Sequence, residues 1–523
     1  MAVVQISKIQ VRRGQKYSNT GVPQLSSGEF AWAVDSQELF IGNGSIAEGA
    51  PYVGNTKILT EHDNLIDLLG GYQFAAGTFS ISGTQSRSLQ AKLDEYVSVL
   101  DFGPPNMGQG IIDCQPYFQR AIDELFLNAD PTFKRKLIIP PGSYNFSSDL
   151  IVPTTAFIQG ENKFNVVLKF GSNNLKFKSI NGKVEGSFDS TADNHPNNIR
   201  LSQLTLAFTT GQFNIAGVTD SLFDQMLITT EDDSKYSFGD DISIATATMV
   251  WLNSTQDNSA NRITFSNVEF KDLPFVANTT QGPNVETLLF FNDCSVNNCG
   301  KGFLSTGTSL YSNQWQFNSC TFNDLFERAY WSDYASNAQF TSCTFLNCGN
   351  GENLPTDPIY PVIEFTNGIN NIVSSCSFDR LNYASFTTDL GKLAVPEVVG
   401  GDRVEIANRA SVNVSLQDTF VPLAVLGFAN SYIEIDYSLK ISDAVRTGKL
   451  TVSVDQVGGS FSFTDNYQYA SEGGVSTFDF DFVSRKNNPA TPGSDPDTLV
   501  IRYQNPSATG APGTLSFSLI YGV

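Results

Sequence analysis

Side chains able to grip or cut a sugar are densest between Asp324 and Asn337 (DLFERAYWSDYASN), where Tyr330, Trp331 and Tyr334 stand beside Glu327, Arg328 and Asp333. Sugars are held by aromatic rings laid on their apolar faces and by carboxylates and amides on their hydroxyls. This stretch therefore has the composition of a glycan site, with Tyr330, Trp331 and Tyr334 as its binding residues. If the stretch is part of a packed coil, alternation sends Phe326 and Tyr330 inward instead.

Cutting a glycosidic bond needs two carboxyl groups, about 5 Å apart for retention of configuration and roughly 6.5 to 9.5 Å apart for inversion. Asp293, Asp324, Glu327, Asp333, Glu364 and Asp379 are available, and Glu327 and Asp333 are the catalytic candidates. No spacing marks a pair. Asp293 takes a place held by Asn267, Ser319, Ser342 and Ser375 elsewhere, which suits a turn residue. A lyase would want acids clustered for calcium with a basic proton acceptor, and no such ladder stands out. His62 and His195 are the only histidines, which leaves almost no room for Ser-His-Asp or metal-hydrolase chemistry. No metal and no cofactor are expected.

Those residues belong to a ladder. A six-residue pattern recurs as Leu201 to Leu206 (LSQLTL), Phe223 to Ile228, Phe265 to Phe270, Phe291 to Val296, Phe317 to Phe322, Phe340 to Phe345 and Val373 to Phe378. Successive starts differ by 22, 42, 26, 26, 23 and 33 residues, and a period of this length signals a solenoid. Each unit reads as strand, tight polar turn, strand. Stacking the units about 4.8 Å apart puts Leu204, Met226, Val268, Cys294, Cys320, Cys343 and Cys376 in one buried column. A second column holds Leu273, Cys299, Leu325, Cys348 and Leu381. Because Cys alternates with Leu there, the cysteines read as reduced core thiols and not as metal ligands. The architecture is a right-handed parallel β-helix of roughly eight or nine turns.

Composition agrees with an all-β chain: Phe (40), Gly (42) and many Asn and Ser residues in 523 favour strands and turns. A formal charge of −21 repels phosphate backbones, so nucleic acid is an unsuitable partner. Lys8, Arg12 and Arg13 interrupt any secretory segment after Met1, and synthesis in the cytoplasm is expected. The longest apolar run, Phe420 to Ala429, falls far short of the about 20 residues a membrane span needs, so no membrane insertion is expected.

In chain order, residues 1–60 form a small opening module: Ile6 to Gln15 alternates like a strand, and Gly28 to Gly44 reads as a hairpin turning at Asp35 and Ser36. Its Arg12, Arg13, Gly14, Gly28, Glu29, Asp35, Ile41, Gly42 and Gly44 resemble the N-terminal modules of bacteriophage tail fibres and tailspikes. Residues 61–95 are a linker with a short helical stretch, Glu61 to Gly71, whose Leu65, Leu68 and Leu69 could seed contact between chains. Residues 96–393 hold the solenoid. It opens with Asp101-Phe102-Gly103, a helix over Asp113 to Phe126 burying Phe118, Ala121, Ile122 and Leu125, then Pro140-Pro141-Gly142 and Gly160. This order resembles the entry into the pectate-lyase-like β-helix of phage tailspikes, and is similar above all to tail proteins of contractile-tailed phages. The family's acidic loop survives only as Gly108, Gly110 and Asp113. The longest insertions are Thr229 to Asn261, Asp324 to Asn337 and Cys348 to Asn367. Residues 394–523 carry eight short alternating strands, a β-sandwich or jelly roll.

The resemblance implies a virion tail component, a homotrimer, that docks on other tail or baseplate proteins through its N-terminal module and recognises host surface polysaccharide. Two alternatives stay open: a glycoside hydrolase that depolymerises that polysaccharide, and a purely structural tail or baseplate part.

Overall fold

The structure, a computed structural model, describes residues 11–17, 22–50, 52–60, 95–127, 135–189, 191–231, 235–237, 249–250, 260–281, 286–307, 311–349, 360–378, 398–401, 403–406, 411–427, 432–455, 460–469, 474–485, 498–507 and 511–522. Two compact units divide the chain, residues 1–96 and 97–523. The helical stretch Glu61 to Gly71, with Leu65, Leu68 and Leu69, lies outside the described residues, as do Asp379 and Leu381.

The first unit is a four-stranded sheet. Phe30–Ala33 and Glu38–Gly42 form the expected antiparallel hairpin, and Arg12–Gly14 adds in parallel to its first strand. Asp35 at the turn accepts the amides of Lys16 and Tyr17 at 2.7 and 2.9 Å, which holds the added strand in place. Gly42 is required by close approach, since a Cβ there would lie 2.1 Å from the Ser26 carbonyl oxygen. Glu38 is buried between Lys16 at 2.6 Å and Lys57 at 2.8 Å.

The second unit opens with helix α1 (Gln115–Ile122), whose Phe118 packs edge-on against Tyr144 and Phe146 at 5.2 and 5.0 Å. Phe118, Ala121, Ile122 and Leu125 are all buried, so the amphipathic face closes the end of the solenoid. Asp113, retained from the acidic loop, accepts bonds from the Gln115 amide and from the amide and hydroxyl of Ser147. Its carboxylate fastens the loop to the next strand.

Beyond the cap the chain coils through three parallel sheets, of which the third has nine strands. The repeat is reproduced residue for residue. Leu201, Phe223, Phe265, Phe291, Phe317, Phe340 and Val373 succeed one another in register along the first sheet. Leu206, Ile228, Phe270, Val296, Phe322, Phe345 and Phe378 do so along the second. Between the two sheets the backbone bends through a left-handed residue in each of these seven coils, namely Gln203, Gln225, Asn267, Asp293, Ser319, Ser342 and Ser375, with φ from 52° to 57°. Asn267 and Asp293 are of the types that tolerate that conformation best. The residue that follows points inward, which creates the column of Leu204, Met226, Val268 and the four cysteines.

All seven cysteines are buried and free. Cys294, Cys320 and Cys343 each donate to a carbonyl of the preceding coil, Phe265, Phe291 and Phe317. The hydrogen bond with the Cys320 sulfur, then burial, pushes the Cys343 thiol up to about 12. The flanking phenylalanines stack at the strand spacing: 4.8 Å for Phe265 and Phe291, 4.6 Å for Phe291 and Phe317, 4.5 Å for Phe317 and Phe340.

Strand Arg403–Ile406 continues the first sheet in parallel with Ile372–Phe378 and also pairs antiparallel with the last strand, Gly513–Gly522. The β-helix therefore runs into the terminal sheet without a break in hydrogen bonding. Gly513–Gly522, Tyr432–Ile441, Ala444–Asp455 and Ser460–Tyr469 follow in antiparallel order. A second sheet, of Gln417–Gly427, Thr498–Asn505 and Asp479–Arg485, packs on it through Tyr437 on Phe480 at 5.0 Å and Phe463 on Phe482 at 4.7 Å. The product is a β-sandwich. Among the described residues no helix is long and apolar enough to cross a membrane.

Candidate functional site

The stretch Asp324 to Asn337 is an ordinary coil of the β-helix and not an inserted loop. Tyr330–Asp333 is a strand of the third sheet, with Phe303, Tyr330 and Ile363 in one register row and Leu304, Trp331 and Glu364 in the next. Alternation then decides which side chains face solvent. Tyr330 is fully buried, 5.3 Å from Phe340 and 5.8 Å from Trp315, so the expectation of Tyr330 as a glycan-binding residue is corrected to a core role. Phe365 also packs on the Tyr330 ring, at 5.7 Å, and Phe303 precedes it in the register row.

Two carboxylate candidates are corner residues. Asp293 sits at φ 53° in the first corner, its amide donating to the Asn318 carbonyl at 3.0 Å. Asp324 sits at φ 55° in the second corner, within a side-chain ladder where Asn323 and Asn347 each donate to its carboxylate at 2.8 Å. Asn298 bonds to Asp272 at 2.8 Å in the coil below, so the ladder is a repeated corner device. Asp379 lies outside the described residues.

The outward face of the third sheet does gather part of the expected set. Trp331 projects into a depression of about 80 Å³ lined also by Phe275, Lys301, Leu304, Glu327 and Arg328. The Arg328 guanidinium lies 5.4 Å from the Trp331 ring centre and 4.8 Å from that of Tyr360, and bonds to Glu364 at 2.5 Å. Lys301 stands 3.8 Å from Glu327 and 5.7 Å from the Phe275 ring centre. One face of Trp331 is thus occupied by a cation. Its indole Nε1 is buried and has no hydrogen-bond partner among the described residues.

Asp333 and Tyr334 do not line this depression. Asp333 accepts from Asn367 Nδ2 at 3.0 Å at the far end of the strand. Tyr334, half-buried at φ 62°, gives its amide to the Thr366 carbonyl at 2.7 Å. Glu327 and Asp333 are therefore not gathered around one space, and the charges of Glu327 and Glu364 are each matched by a cation. The volume is well below the roughly 300 Å³ of a small-molecule site, enough for a hydroxyl or a water and not for a sugar ring. Among the described residues no group of three His, Cys, Asp or Glu side chains could hold a metal ion.

Sequence reasoning missed Lys301 and Phe275 as neighbours of Glu327. The signal was present, because Phe275, Lys301 and Glu327 follow at steps of 26 residues, one coil each. Tyr360 falls outside the repeat and had no such signal.

Residues 96–353 match the family model of rhamnogalacturonase A/epimerase, pectate lyase-like. No curated protein matches the chain. Among solved structures the chain is similar to ORF18 of Geobacillus virus E2, at 12% identity and a TM-score of 0.39, covering 87% of this chain and 90% of that one. It is similar to the gp42 tailspike of Acinetobacter phage vb_AbaP_AS12, at 11% identity and a TM-score of 0.34, with 93% and 96% covered. It is similar also to the tailspike of E. coli bacteriophage HK620 in complex with pentasaccharide, at 11% identity and a TM-score of 0.25, with 86% and 97% covered.

Proposed function

We propose that this pectate-lyase-like β-helix is the body of a bacteriophage tail fibre or tailspike that recognises polysaccharide on the host surface. The observation that carries the reading is the order of parts. A separate N-terminal sheet with the tail-module residues Arg12 to Gly44 precedes a helix-capped solenoid of the kind found in polysaccharide-acting proteins, and a β-sandwich follows it. The N-terminal module is the end that docks on other tail or baseplate proteins, and three copies of the chain assemble side by side. The protein is made in the host cytoplasm and carried on the virion.

Recognition is favoured over depolymerisation because Glu327 and Glu364 are matched by Lys301 and Arg328, Asp333 is tied to Asn367 away from the depression, and of these three only Glu327 lines it. The test is binding of the labelled chain to a panel of bacterial cells before and after periodate oxidation of their surface sugars. Binding to some strains that periodate abolishes is expected. Binding that survives periodate and disappears on protease treatment of the cells would contradict a glycan receptor.

A further inference from the structure

A broad, open concavity lies on the terminal sandwich and not on the β-helix. It measures about 940 Å³ and spans four strands of the larger sheet. Register shows how it is made. Ser518, Asp436, Lys449 and Asn466 form one outward row across the strands, and Ser516, Ser438, Thr447 and Gln468 form the next. Between the rows run Phe517, Tyr437, Gly448 and Tyr467, whose positions face the opposite side of the sheet. Tyr437 and Phe517 are buried there, and the Tyr437 ring lies across Gly448, where a Cβ would come within 2.6 Å of it. The valley floor is therefore bare backbone, walled by two rows of polar and charged side chains on paired strands.

From this rest two conclusions about an occupant. The walls offer hydroxyls, amides and one acid–base pair but no apolar side chain, so the occupant is polar along its length. Four strands at about 4.8 Å give a valley of roughly 14 Å between its outer strands, suited to a short run of linked sugars. Charge narrows the class. Glu434 and Asp436 are balanced by Lys440 and Lys449 on the same face, with Lys449 bonded to Glu434 and 3.8 Å from Asp436. The chain as a whole carries −21, which disfavours a polyanion. Tyr432, 44% exposed on the same face beyond Glu434, offers a ring on which a sugar can stack.

We propose that this outer valley binds a neutral oligosaccharide segment through the two rows headed by Ser518 and Ser516. The proposal rests on the glycan-recognition reading above and names its site and its class of sugar.

The test applies the full chain to an array of short neutral hexose and hexosamine oligosaccharides beside sialylated and uronate-containing ones, then titrates the best neutral binder by calorimetry. Ser438→Trp and Thr447→Tyr fill the valley, and Trp331→Ala alters the β-helix depression. Far-UV circular dichroism checks folding, and Gln468→Ala with Asn466→Ala serves if the bulky variants misfold. Expected are binding to neutral glycans, a loss of about tenfold or more in the valley variants, and unchanged affinity in Trp331→Ala. Binding confined to charged glycans overturns the sugar class. Full affinity in the valley variants with loss in Trp331→Ala overturns the site and leaves glycan recognition standing. An oligomer that dissociates in the valley variants while glycan affinity holds shows a contact between copies and also overturns it. Absence of binding to any glycan by the unaltered chain sinks the functional reading as well.

Discussion

Inside the β-helix Phe291 lies between Phe265 and Phe317 at 4.8 and 4.6 Å, each ring parallel to the next, while the sandwich buries Arg446 at 2% exposure. Arg446 pairs with Asp465, donates to the Tyr437 hydroxyl at 2.8 Å and to the Phe478 carbonyl at 2.7 Å, and lies 3.6 Å from the Tyr467 ring centre. The solenoid interior is like upon like, repeated from coil to coil, so each side chain is replaceable by a similar one. The sandwich interior contains a buried charged group, Arg446, whose partners come from several strands. One region tolerates variation in any rung, and the other depends on a single constellation.

Removing that constellation is expected to have the largest effect. Arg446→Met leaves Asp465 without its cation and should cost about 3–5 kcal/mol, seen as faster amide exchange in the strands from Tyr432 to Gly522 and little change in the β-helix. Uniform exchange throughout the second unit would erase the contrast. Phe317→Leu, which removes volume from the core and loses two ring stacks, should cost about 1–3 kcal/mol. Its faster exchange should centre on the coils of Phe291 and Phe340, and a response confined to its own coil would contradict like-on-like coupling.

The legibility of the two regions follows from the same contrast. Periodicity is visible where identical environments recur, which is why the column of Cys294, Cys320, Cys343 and Cys376 and the corner residues from Gln203 to Ser375 could be read from spacing alone. The coil from Asp324 to Asn337 misled because its strand, Tyr330–Asp333, lies between two such patterns and has no motif of its own. Composition there suggested a sugar platform, whereas alternation puts Tyr330 inside and leaves Trp331 under Arg328. The eight-strand reading of the sandwich came from alternation, but nothing in it announced that Arg446 would be buried or that the outward rows would enclose a valley. Those depend on which strands become neighbours.

The N-terminal unit extends the contrast with a buried acid. Although burial raises it, hydrogen bonds from Lys16 and Lys57 bring Glu38 down from 4.5 to about 2. A depressed value means the stabilisation is complete above about pH 4.5 and is lost as the pH falls toward 2. Acid melting of the unit should therefore steepen in that window, and Glu38→Gln should flatten it; an unchanged acid limb in the variant would count against the pair. The smallest response belongs to the thiols. Burial raises Cys299 to about 12, and all seven cysteines are buried, so iodoacetamide at neutral pH should modify none in the native chain and all seven after denaturation. Rapid labelling of the native chain would mean that the columns open.

The claim on which the functional account turns is that the chain holds host polysaccharide without cutting it. The direct measurement is the chain-length distribution of a bound bacterial surface polysaccharide, followed by mass spectrometry during prolonged incubation with excess protein. The account predicts retained protein and an unchanged distribution, with no new reducing ends and no unsaturated products. Steady release of short oligosaccharides would contradict it and move catalysis to carboxylates other than a joint Glu327 and Asp333 site.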